Sequence, residues 1–100
     1  SRQDVGSVKH YPIVWRPLAQ TDLLGLYDWI AEQAGTSTAF DYTSKIEALV
    51  SKLGEFPGRG APRDDLFPGL RTIVYRRRTI IAYRVLADEV EILRIVHGGR

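Results

Sequence analysis

The sequence predicts an α+β domain of order β-α-α-β-β-β, with a helical hairpin packed on one face of a small, mostly antiparallel sheet. Three observations carry that prediction. Two stretches of three- and four-residue apolar spacing occupy the first half of the chain, parted only by Gly35 to Ser37. Three runs rich in β-branched and aromatic residues, split by short polar turns, fill the last third. The 100 residues are 44% apolar and 26% charged, the composition of one globular domain.

That domain is expected over residues 10–100. The stretch 1–9 (SRQDVGSVK) is polar and aperiodic and reads as a disordered tail or tag remnant. His10 to Arg16 is the first strand, with Tyr11, Ile13 and Trp15 on one face by period two and Val14 on the other. Pro12 lacks a ladder donor and suits the strand's start or an edge. Pro17 fits the first turn of a helix that runs to Ala34 and is stopped by Gly35. Its apolar stripe is Ala19, Leu23, Leu26, Tyr27, Ile30 and Ala34. Thr36 to Thr38 offer N-caps, with Asp41 in a capping arrangement, for a second helix over Thr38 to Leu53. Its stripe is Ala39, Tyr42, Ile46, Leu49, Val50 and Leu53, and Gly54 ends it. The brief link makes the pair an antiparallel hairpin.

Glu55 to Gly69 holds three of the five prolines and reads as a loop, long enough to have a function or to wrap the body. Strands over Leu70 to Arg76, Thr79 to Leu86 and Glu89 to Val96 then form a meander with turns at Arg77-Arg78 and Ala87-Asp88. Alternation places Ile81, Tyr83 and Val85 on one face of the middle strand and Ile80, Ala82 and Arg84 on the other. On the last strand it sets Leu93 and Ile95 against Val90, Ile92, Arg94 and Val96. Alternation alone does not decide which face meets the helices. Two short helices cover one face, so the second, apolar but arginine-dotted, either awaits a partner or is covered by the long loop or the N-terminal tail.

Composition excludes several classes of chemistry. With no Cys there is no disulfide framework, thiolate metal site or cysteine nucleophile. Two histidines at opposite ends of the chain, His10 and His97, make neither a nucleophile–base set nor a metal site. Asp64-Asp65 among prolines reads as turn and cap chemistry. The glycines lack the strand–turn–helix setting of a phosphate cradle. No cofactor, metal or catalytic residue is expected. The longest apolar run, Ile80 to Tyr83, is far short of the roughly 20 residues that cross a bilayer, so no membrane partner is expected. Charge is segregated. Residues 1–58 hold five Lys or Arg against seven Asp or Glu, and residues 59–100 hold nine Arg against five, giving net −2 and +4. All nine are arginines, suited to bidentate contact with carboxylate or phosphate, so the basic end points to an anionic partner.

The ordered set of features resembles the RelE/ParE toxin superfamily. They are Gly69-Leu70-Arg71 opening a strand, Tyr83-Arg84-Val85, and Ile92-Leu93-Arg94-Ile95-Val96-His97 closing the sheet. Trp15, Asp22-Leu23, Trp29-Ile30, Phe56-Pro57 and Gly60 match in the front half, so the likeness spans about residues 10–100. RelE-type members cut messenger RNA on the ribosome. Where such a member carries an arginine, three residues before Tyr83, this chain has Ile80. Arg59 and Arg63 stand where loop lysines belong, and no tyrosine follows Arg100. Cleavage by 2′-OH attack needs a base, an acid and cations, and isoleucine is none of these.

The likeness is therefore to ParE-type members, with the expectations that follow from it. They are a cytoplasmic type II toxin that inhibits DNA gyrase by binding, neutralised by a ParD-like antitoxin in a hetero-oligomer, with nucleic acid met only through target or antitoxin. The alternatives are a ribosome-dependent endoribonuclease and a basic DNA-binding or structural module. Target contacts are expected from Arg71, Arg77, Arg78, His97 and Arg100. Antitoxin contacts are expected from Ile80, Ala82, Arg84, Ile92 and Arg94.

Overall fold

The computed structural model describes residues 10–98, so the expected tail at 1–9 and the contact assigned to Arg100 lie outside the described residues. The elements are β1 (Ile13–Trp15), α1 (Pro17–Ala34), α2 (Thr36–Lys52), β2 (Ala61–Pro62), β3 (Leu70–Tyr75), β4 (Thr79–Val85) and β5 (Val90–His97). The expected order holds, with one short strand added. The five strands lie in the order β1-β5-β4-β3-β2. All neighbours are antiparallel except β1 and β5, which run parallel with Ile13 opposite Val90 and Trp15 opposite Ile92.

Arg16 is extended, at φ −75° and ψ 157°, because the ring of Pro17 excludes the helical region for the residue before it. Gly35 alone joins the helices. At φ 94° it donates its N–H to Ala31 O and its carbonyl accepts from Ala39 N, so one residue caps both helices. This corrects the expected start of α2, which begins at Thr36 rather than Thr38. No side-chain cap forms there, and Asp41 pairs with Lys45 one turn on at 3.2 Å.

The core lies between the helices and one face of the sheet. Ala19, Leu26 and Ile30 of α1, Ala39, Ile46 and Val50 of α2, then Leu53, meet Ile81 and Tyr83 of β4 and Val90, Ile92 and Ile95 of β5. Leu23, Tyr27, Tyr42 and Leu49 pack at its margin, whereas Ala34 is exposed, since the stripe drifts off the sheet by the last turn. The segment 55–69 is not wholly irregular. Pro57–Arg59 makes one 3₁₀ turn, and Ala61 and Pro62 pair with Thr72 and Arg71. A two-residue strand carrying Pro suits the outermost position, where its missing donor faces no neighbour.

Candidate functional site

The helices meet the face carrying Ile81, Tyr83 and Val85. The other face of the sheet is assembled by cross-strand pairing. Val74, Ile80 and Val96 stand side by side across β3, β4 and β5. Thr72, Ala82 and Arg94 form the next rank, and Leu70, Arg84 and Glu91 the next. Val74, Ile80 and Val96 are 55%, 40% and 49% exposed, an apolar rank left open to solvent. The long loop adds Ala61 beside Thr72 at the edge of this face and meets its corner, where the Arg84 guanidinium lies 5.4 Å from the centre of the Phe67 ring. Among the described residues nothing covers the rank at the opposite end.

A β-bulge corrects one expected contact. Ala82 pairs with Arg94 but Tyr83 pairs with Ile92, so Leu93 is an extra residue on β5. The bulge shifts the phase of the strand. Val90 and Ile92 point to the helices before it, and Ile95 does so after it. Ile92 is fully buried in the core and does not belong to the open face.

Two of the arginines expected to bind a partner are satisfied within the chain. Glu91, nearly buried, accepts from Arg84 at 3.0 and 2.6 Å and from Arg16 on its other oxygen. Burial pushes the Glu91 carboxyl up, but hydrogen bonds and charge from Arg84 and Arg16 outweigh it and hold the group below the usual carboxylate value. Arg94 forms a bidentate pair with Asp22 of α1 at 2.7 and 3.0 Å, and the same carboxylate accepts from Ile95 N at 2.9 Å. β1 ends at Trp15, opposite Ile92, and Asp22 continues its role by taking the next donor on that edge of β5.

Arg71, expected at the target surface, is also occupied, donating to Gly58 O and Gly60 O at 3.2 and 2.6 Å. Beside it, the Tyr83 hydroxyl accepts from Gly60 N and donates to Pro57 O, both at 2.7 Å. Burial is the main cause of the raised Tyr83 pKa, opposed by the Gly60 N–H and the charges of Arg71 and Arg59. A Cβ on Gly60 would stand 2.6 Å from the Tyr83 hydroxyl oxygen and 2.9 Å from Thr72 O, so glycine is required there. Together Arg71 and Tyr83 latch the loop to the sheet.

His97 is half-buried. Its Nδ1 hydrogen-bonds Thr79 Oγ1 at 2.7 Å, Thr79 Oγ1 hydrogen-bonds Tyr42 OH at 2.8 Å, and the imidazole packs 5.5 Å from Trp29. These contacts anchor the His97 ring at the end of the core.

Arg77 and Arg78 lie where expected, at the β3–β4 turn. Arg78 N faces Tyr75 O at 3.4 Å, with Arg76 at φ 51° and Arg77 at φ 65°, the positive-φ pattern of a type I′ turn. That conformation suits Asn-Gly and costs a bulkier residue roughly 1 kcal/mol or more. The Arg76 guanidinium lies over the rings of Tyr75 and Tyr42, 5.4 and 6.0 Å from their centres, and those rings meet edge-on at 5.1 Å. Among the described residues none of Arg76, Arg77 and Arg78 forms an ion pair, in contrast to Arg16, Arg63, Arg84 and Arg94. The structure thus joins the basic turn to the exposed Val74–Ile80–Val96 rank, while Arg84 and Arg94 are drawn into internal pairs.

Sequence reading missed Glu91, Asp22 and Tyr42. The signals at hand were Glu91, an acid inside an apolar strand, Asp22 in the Asp22-Leu23 step, and Tyr42 in the helix stripe, none of which points to its partner. No group of three or more His, Asp or Glu among the described residues could hold a metal ion, and no described helix is long and apolar enough to cross a membrane. An open cleft of about 370 Å³ lined by Trp15, Gln20, Leu23, Leu24 and Glu47 contains none of the expected contact residues.

Comparison with known proteins agrees with this architecture. The family model described as "ParE toxin of type II toxin-antitoxin system, parDE" matches residues 13–100. Toxin ParE3 of Caulobacter vibrioides is 35% identical over 77 residues, 77% of this chain and 76% of the relative. Toxin ParE1 of the same organism is 30% identical over 79 residues, 79% of this chain and 80% of the relative. A solved structure, the chromosomal ParDE TA system from P. aeruginosa, superposes with TM-score 0.78 at 29% identity, covering 89% of this chain and 97% of the other.

Proposed function

Because the chain belongs to the ParE toxin family of type II toxin–antitoxin systems, we propose that a ParD-like antitoxin silences it by covering the open sheet face, and that the released toxin inhibits DNA gyrase by binding alone. The observation that carries the first half is the exposed rank Val74, Ile80 and Val96. Burying these half-exposed side chains contributes roughly 1 kcal/mol each, which favours an occupant with an apolar stripe. Ile80 and Ala82 are its direct contacts. Arg84 and Arg94 flank the stripe and meet acidic side chains of the antitoxin only as the outer members of pairs that Glu91 and Asp22 already hold.

The second half is supported by the residue at position 80. An exposed isoleucine on the open face supplies neither proton transfer nor charge to a phosphodiester, so binding without turnover is the reading that suits the site. The compartment proposed for this action is the cytoplasm, where gyrase and the chromosome are.

The test is a supercoiling assay with purified toxin and gyrase. Inhibition at a micromolar excess, reversed by the antitoxin, is the expected result. Intact supercoiling together with cleaved messenger in a translation extract would replace this reading with the endoribonuclease.

A further inference from the structure

We propose that the turn Arg76–Arg77–Arg78 is a phosphate-gripping finger that docks on the sugar–phosphate backbone of the DNA held by the target. The proposal rests on the toxin reading above and adds the chemistry of the contact. Three observations carry it. First, two consecutive arginines occupy left-handed backbone, at φ 51° and 65°, where glycine or asparagine sits without strain. Strain of this kind persists where the surroundings enforce it and concentrates at binding sites. Second, the enforcing contacts are visible. Arg76 is stacked on Tyr75 and Tyr42, and Gly98 N donates to Arg78 O at 2.7 Å, so both shoulders of the turn are fixed. Third, four of the other described arginines are spent on carboxylates and Arg71 on carbonyls, whereas these three guanidinium groups carry no ion pair.

The fixed backbone favours phosphodiesters over protein carboxylates. Carboxylates ride on mobile side chains and adjust to a flexible arginine. A duplex presents charges at fixed intervals, and a rigid turn holds the backbone of Arg77 and Arg78 at a fixed spacing to meet them.

The experiment measures binding to a short fluorescein-labelled duplex by anisotropy between about 50 and 200 mM salt. The double variant Arg77→Gly with Arg78→Gln is compared with Lys52→Gln and Arg59→Gln, which removes the same charge from exposed positions elsewhere. The tip variant is expected to bind about ten-fold more weakly at low salt and to lose about two from the slope of log K against log salt, with Tm at or above that of the parent. The control is expected to keep the parent's slope. Equal losses in both variants, or none in either, would overturn the proposal. Unchanged duplex binding with lost gyrase inhibition would overturn it too, and would assign the tip to an acidic protein surface. Because duplex binding is read without gyrase, its outcome is separate from that of the supercoiling assay.

Discussion

Glu91 occupies mid-strand on the face opposite the core, where its neighbours by register are Arg84 and Val14. Replacing it by glutamine leaves two guanidinium groups facing a neutral amide. Glu91→Gln is expected to lower stability by about 1–2 kcal/mol in urea denaturation, below the scale of a fully buried pair because both guanidinium groups keep contact with water. The same group sets an acid limit. Its folded pKa lies below the unfolded value, so the unfolded chain binds the proton first. The stabilisation is present above the ordinary glutamate range and is lost as pH falls through that range towards the lower folded value. The urea midpoint should therefore drop more steeply with acid in the parent than in Glu91→Gln. At this scale the sequence was least legible. Arg16 and Arg94 find their acids 75 and 72 residues away, and no local spacing announces such a pair.

Elements were legible where local chemistry fixes them. Pro17 and Gly35 bound α1, and the apolar stripes of both helices reach the core. The bulge at Leu93 was not legible, because alternation carries no count of an extra residue in one strand. Its consequence is measurable. Ile92→Ala removes a fully buried side chain and should cost about 3 kcal/mol, while Val96→Ala, on the open side of the same strand, should cost less than about 1 kcal/mol. The segment 55–69 shows no periodicity that would announce its anchor points, yet Tyr83 and Arg71 hold it down. Tyr83→Phe leaves the Gly60 N–H buried without its acceptor, a loss of about 1–3 kcal/mol. Hydrogen exchange should locate the effect, with amides of that loop exchanging faster and those of β4 and β5 protected by the remaining sheet.

At the scale of the whole molecule the helices shield one side of the sheet and leave the Val74–Ile80–Val96 rank of the other open. Ile80→Asp and Val96→Asp are expected to leave Tm within a few degrees of the parent and to weaken antitoxin binding about 10- to 100-fold by calorimetry, since both side chains already face water. A comparable fall in Tm for either would place it in the core instead. The parallel pairing of β1 with β5 has a further effect on how the chain comes into being. Within the sheet β1 bonds only to β5, so Ile13 waits for Val90 before its ladder can form. Until that point β1 has no strand to pair with and the bond from Tyr11 N to Gly54 O holds its start, so a ligand that needs the finished sheet finds none. The finished surface thus appears only once the strand that closes the sheet has been made, which ties its exposure to the end of this domain's own synthesis.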